Sequence, residues 1–134
     1  EGLNAEQAAK VPGQGFNCVW SVVNHMTYWH DYLLHRLRGE KERMWGQSNK
    51  GSWQVIKQPY LEHEWIADRE SLFATNKVLA AVVASFSDEE MDQPYSEGKS
   101  ERHVVIQGII AHNCYHTNEI ISIRHMLGYW LKKT

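Results

Sequence analysis

Cysteine and proline are scarce in this chain, and long apolar runs are missing altogether. Only two cysteines, Cys18 and Cys114, occur among 134 residues. That is too few for a disulfide framework and fits a reducing compartment. No apolar run approaches the roughly twenty residues of a membrane span, and no signal peptide with a charged start and an apolar middle opens the chain. A cytoplasmic protein with no membrane partner is therefore expected. Basic clusters are missing too: no lysine or arginine run exceeds a few residues, and the formal net charge is −2. This argues against a nucleic-acid partner. No short alternating run is bounded by hairpin turns, so no strand signal competes.

What is present reads as helix. With 43% hydrophobic and 22% charged residues, the chain has the balance of a globular protein, and residues 1–134 suffice for a single domain with a real core. The first strong periodic segment is "FNCVWSVVNHMTYWHDYLLHRLRGE". Asn17 is the expected cap, and Gly39 the expected stop, following Arg36 and Arg38 at the negative end of the helix. Its apolar residues form two adjoining stripes, Val19, Val23, Met26, Leu33 and Leu37 beside Val22, Trp29 and Tyr32, with His25 between them. So broad a face belongs to a helix with more than one neighbour.

Gly39, Gly46, Gly51 and Pro59 mark a long connection, with a short helical turn expected near Trp53. The spacing predicts a second helix from about Leu61 to Phe86, burying Trp65, Leu72, Leu79 and Val83. "SDEEMDQPYSEGKSE" interrupts it with Pro94 and Gly98, and a third helix is expected from about Arg102 to Lys132. The class is all-α. A connection of about twenty residues can cross a bundle and leave the helices it joins parallel.

The chemistry lies in the histidines. In the third helix the inward stripe runs Val105, Ile109, His112, His116, Ile120, Ile123, Leu127, in steps of three and four. In the first, the step from Val22 through His25 to Trp29 does the same. At about 1.5 Å rise per residue, His25 lies roughly 12 Å into its helix, and His112 and His116 roughly 14 and 20 Å into theirs. The levels match whichever way the helices run. A lone histidine on an apolar face is more often a satisfied core residue than a ligand, and one H-x-x-x-H pair is a weak signal. Three inward imidazoles at one height are different, because burying them unpartnered costs a few kcal/mol whereas a divalent ion satisfies them all. No fourth strong ligand appears: Cys114 faces off the stripe and Cys18 lies about two turns from His25. Three ligands with an open position characterise a reactive metal site. Glu119, one turn beyond His116, is a candidate acceptor for a ligand ring, a base, or a solvated carboxylate. Trp20, Tyr28 and Trp29 are candidates to line a cleft or to fill the core. His30, His35, His63, His103 and His125 read as surface or rim residues.

"FNCVWSVVNHMTYWHDYLLHRLRGE" followed by "HNCYHTNEIISIRHMLGYW" resembles the DinB/YfiT-like superfamily of four-helix-bundle proteins, over nearly the whole span from Leu3 to Trp130. The family pattern includes a helix-two histidine followed by aromatics, a glycine ending that helix, and H-x-x-x-H in the last helix. The resemblance implies an up-down-down-up bundle and one divalent ion, nickel or zinc, held by three histidines that map onto His25, His112 and His116. Asn118 stands where many members have glycine, and Glu119 where many have glutamine. Characterised relatives include transferases and isomerases that use bacillithiol or mycothiol. A metal-dependent thiol transferase or hydrolase, acting on a small electrophile with a low-molecular-weight thiol, is thus one expectation. A non-catalytic protein whose metal ties two helices together is the other, and a metal-free histidine core is a third. The chain opens "EGLNAEQAAK" without methionine and only three long helices are evident, so either the family's first helix lies upstream or the chain is a three-helix remnant. The groove this leaves implies a homodimer or a covering segment.

Overall fold

The long helices form where the periodicity places them. A computed structural model describes residues 2–40, 49–96 and 99–130. Its elements are α1 (Ala5–Ala9), α2 (Val19–Leu37), a 3₁₀ turn (Asn49–Ser52), α3 (Glu62–Ala84), α4 (Asp88–Met91) and α5 (Arg102–Met126). Among the described residues there is no strand, only an isolated bridge between Pro94 and Glu101. No helix among them is long and apolar enough to cross a membrane. The described residues form an all-α bundle, and the turn expected near Trp53 lies just before it.

Helix α2 is the axis of the molecule. Eleven of its nineteen residues are buried, against three in α3 and four in α5, because α2 alone packs on both other long helices. Its first turn is capped one residue later than expected. The Sγ of Cys18 accepts the Ser21 N–H at 3.4 Å, and Asn17 instead donates to Glu119 Oε1 at 2.9 Å. At the other end Gly39 adopts φ 67°. The N–H groups of Gly39 and Glu40 then return to the carbonyls of Arg36 and His35, which satisfies the last open acceptors.

The same device closes α5 earlier than the expected Lys132. Gly128 has φ 75°, and Gly128 and Tyr129 donate to the carbonyls of His125 and Arg124 at 3.1 and 2.8 Å. Helix α5 therefore stops at Met126. Only glycine reaches this conformation cheaply.

Packing gives the topology. Trp20 of α2 meets Trp65 of α3, with ring centroids 5.6 Å apart, and towards the other end Leu33, Leu34 and Leu37 cluster with Leu79. Low numbers meet low and high meet high, so α2 and α3 are parallel, as the long connection allows. Helix α5 runs the other way, since Ile123 packs in the cluster of Val19 and Trp20 and Ile106 packs with Leu33 and Leu37. The three long helices thus run down, down, up.

The short α1 seals one end. Ala5, Ala8 and Ala9 are buried, and side chains this small let α1 lie against both α2 and α3. Glu62 Oε2 accepts the Ala5 N–H at 2.7 Å, placing a carboxylate at the positive end of α1. Trp65 Nε1 donates to the Leu3 carbonyl at 2.9 Å. Two apolar clusters result, one around Trp20 and Trp65 and one around Leu34 and Leu79. On the face shared by α2 and α5, the interval between them is filled by histidine.

Candidate metal centre

The antiparallel pairing of α2 and α5 brings His25 opposite His112 and His116, the three residues singled out by their shared height. One ring nitrogen from each lies within 4.8 Å of the others. The Nε2 atoms of His25 and His112 are 3.0 Å apart. Ring centroids of His25 lie 5.0 Å from His112 and 4.7 Å from His116. His25 and His116 are buried, at 2% and 5% exposure, while His112 is half-buried.

The far sides of these rings decide what the near sides can do. His25 Nδ1 lies 2.8 Å from Ser52 Oγ, so the tautomer that donates there leaves Nε2 as a lone pair facing the centre. His116 Nδ1 lies 2.6 Å from Glu119 Oε2, and donation to that carboxylate frees the other nitrogen in the same way. Asn17 holds the second oxygen of Glu119. His112 Nδ1 is buried and has no hydrogen-bond partner among the described residues. Oxygen acceptors behind ligand imidazoles fix the tautomer and raise ring basicity.

Two of the rings, those of His25 and His112, are also held neutral. Burial, and then the neighbouring imidazoles of His116 and His112, bring His25 down to about 4. Burial, and then His116 and His30, bring His112 down to about 4. Neutral imidazole is the form that ligates. Nitrogens bound at about 2.0–2.1 Å with tetrahedral angles sit about 3.3 Å apart, close to the separation of the His25 and His112 Nε2 atoms. The donor set and its spacing are those of a group that could hold a metal ion.

Aromatic rings wall the cluster. Trp53 stacks on His25, centroids 3.8 Å apart at 10°, and Tyr115 meets His116 edge-on at 4.9 Å. A cavity of about 350 Å³ opens beside His112 and runs towards Arg36 and Tyr95. Of the three aromatics offered as cleft residues, only Trp29 lines it. Trp20 is core, its Nε1 donating to Asp68 Oδ2 at 2.6 Å, and Tyr28 lies on a separate polar pocket with Asn24 and Asp68.

His30 corrects the sequence reading. It was expected at the rim, yet it is 1% exposed, with Nε2 2.7 Å from Asn113 Oδ1. Burial pushes its pKa down. Ser52 and Asn17 also escaped the sequence reading, since a serine in a long connection and an asparagine ahead of a helix carry no metal signal. The adjacency of Asn113 to His112 was the one available hint for His30.

An α-helical bundle with three convergent imidazoles on antiparallel helices defines the class: a helical protein whose His25, His112 and His116 could hold a metal ion. The model of the DinB superfamily matches residues 1–120, and the chain belongs to that superfamily. No curated protein and no solved structure matches the chain.

Proposed function

We propose that His25, His112 and His116 hold one divalent ion, zinc or nickel, and that the protein is a metal-dependent enzyme of the thiol-dependent transferase or hydrolase type. The observation that carries this reading is the convergence of three imidazole nitrogens, two of whose rings are backed by Ser52 and Glu119. When bound, such an ion lowers the pKa of a thiol or water and so makes a nucleophile at neutral pH. The residues of this chain do the rest. Ser52 and Glu119 aim the rings, Asn17 aims Glu119, and Trp53 keeps water off His25. The cavity beside His112 admits a small electrophile from the open side. With both oxygens engaged, Glu119 is a positioning residue rather than a base.

Elemental analysis of the purified protein tests the metal, and a screen of low-molecular-weight thiols against electrophilic substrates tests the reaction. One ion per chain with thiol consumption supports the reading; a metal-free, inert protein rejects it.

One observation favours the non-catalytic alternative. Helix α5 buries only four residues, so a metal bridging it to α2 would be a large part of its attachment. An exchangeable water on the bound metal separates the two readings, since a purely structural site has none. We further propose that the protein works as a cytoplasmic homodimer. Cys18 and Cys114 are both free thiols, and Phe73, Ile110 and Tyr115 are more than half exposed on the outward faces of α3 and α5.

A further inference from the structure

Where α2 and α3 run side by side, a cavity of about 380 Å³ lies between them, with Gln54 at its Asn24 end. Helix α2 contributes Asn24, Thr27 and Asp31, at i, i+3 and i+7, and α3 contributes Asp68, Ser71 and Thr75 at the same spacing. Each set lies on one helix face. Because the helices are parallel, Asp68 stands near Asn24 and Asp31 near Thr75. Seven residues of α2 at about 1.5 Å each put the two carboxylates roughly 10 Å apart.

The lining offers acceptors, and no lysine or arginine among the described residues faces them. Asp68 Oδ2 accepts the Trp20 Nε1–H, and Asp31 meets His35 through Oδ1 at 3.4 Å. The other oxygen of each carboxylate has no partner among the described residues. The Thr27 hydroxyl donates to the Val23 carbonyl at 2.9 Å, so its oxygen has only lone pairs left to offer. Asn24 is 9% exposed. Its Nδ2 donates to Gln54 Oε1 at 3.4 Å, and its Oδ1 accepts from no described residue. An acceptor that deep calls for a donor.

We infer that this groove binds a linear diamine or polyamine, one terminal ammonium on Asp68 and the other on Asp31, with the methylene chain along the groove. An ammonium is donor-only, with three N–H bonds to place, so it matches a wall of carboxylate, amide and hydroxyl oxygens. Its hydrogen bonds to carboxylates are charge-assisted, the stronger kind. Length sets the choice. Terminal nitrogens roughly 10 Å apart reach both carboxylates, as in spermidine and octane-1,8-diamine, whereas butane-1,4-diamine is too short. The site is independent of the imidazole cluster, which lies between α2 and α5.

Calorimetric titration of spermidine, octane-1,8-diamine and butane-1,4-diamine into the full chain tests it. The two longer amines should bind about tenfold or more tightly than the short one, since only they place a charge-assisted bond at each end. Asp31→Asn should erase that preference. Thr75→Arg keeps a good helix former in α3 and sets a competing guanidinium beside Asp31, so it should erase the preference as well. Glu89→Gln, which removes an exposed carboxylate outside the groove, should leave every affinity in place. Melting curves of the variants separate loss of ligand from loss of fold, and either groove variant suffices if the other is unstable. Absence of spermidine binding overturns the proposal. So does equal affinity for short and long diamines, or a preference that survives a folded Asp31→Asn or Thr75→Arg. A preference that Glu89→Gln removes would also overturn it, as attraction to the acidic surface at large.

Discussion

Helix α2 meets its two long partners in opposite ways. Against α3 it presents tryptophan and leucine: Trp20 on Trp65, and Leu34 and Leu37 near Leu79. Against α5 the middle of the contact is polar, with His25 at His112 and His116, His30 on Asn113, and Asn17 on Glu119. An apolar seam stabilises by about 1.5–3 kcal/mol for each fully buried large side chain. Buried imidazoles give no such return unless something satisfies them. The comparison teaches that the parallel pair carries the fold, whereas the antiparallel pair gives up stability to hold a site.

The largest effect should come from breaking the apolar seam. Trp65→Ala removes a side chain that is 4% exposed together with its bond to the Leu3 carbonyl, and should cost about 3–5 kcal/mol. Chemical denaturation should show the same loss with and without zinc, because the seam is independent of the site.

Acid should act on the other seam. His25 is depressed from 6.5 to about 4, so the folded chain binds fewer protons there than the unfolded chain. Its contribution is complete above pH 6.5 and is lost as the pH falls through about 4. At about 1.4 kcal/mol per unit, that one ring accounts for a loss of about 3 kcal/mol. Denaturation of metal-free protein between pH 7 and pH 4 should show the decline, and His25→Asn should reduce it, leaving the part that His112 and His30 contribute.

His116→Ala should remove the gain that zinc confers. At a hundredfold excess over its Kd, an ion bound only by the folded state adds about 2.7 kcal/mol. Wild type should melt higher with zinc, and the variant should melt at one temperature regardless of zinc or chelator. The smallest effect belongs to Glu119→Gln, which keeps shape and replaces the carboxylate behind His116 with an amide. Zinc affinity should fall about 10- to 100-fold, as for other partners standing behind a ligand ring, with the metal-free melting curve little changed.

Much of this was readable in advance, for a physical reason. Helix period is a local property, so the stripe through His112 and His116 and the step from Val22 to Trp29 already showed which faces point inward. Equal heights along two helices then brought His25 to the pair. The partners behind the rings were not readable. Ser52 reaches His25 from a connection without periodicity, and Asn17 reaches Glu119 from a position that looked like a cap. Cysteine is an unusual N-cap, so Cys18 gave no warning that Asn17 was free for another task. His30 was misplaced because its burial depends on Asn113, 83 positions later, and on α2 being enclosed from several sides. The stop at Gly128 was missed, although a glycine after Arg124 and His125 is the usual helix ending. The apolar run on to Trp130 concealed it.

The account rests on three imidazoles sharing one ion, and zinc stoichiometry tests that most directly. Wild type, His25→Ala, His112→Ala, His116→Ala and the exposed-residue control His63→Ala would each be dialysed against zinc and analysed for bound metal. One zinc per chain in wild type and His63→Ala, with none retained by the other three, is the predicted result. A wild type that retains no zinc or nickel, or a stoichiometry that survives any of the three substitutions, would contradict it.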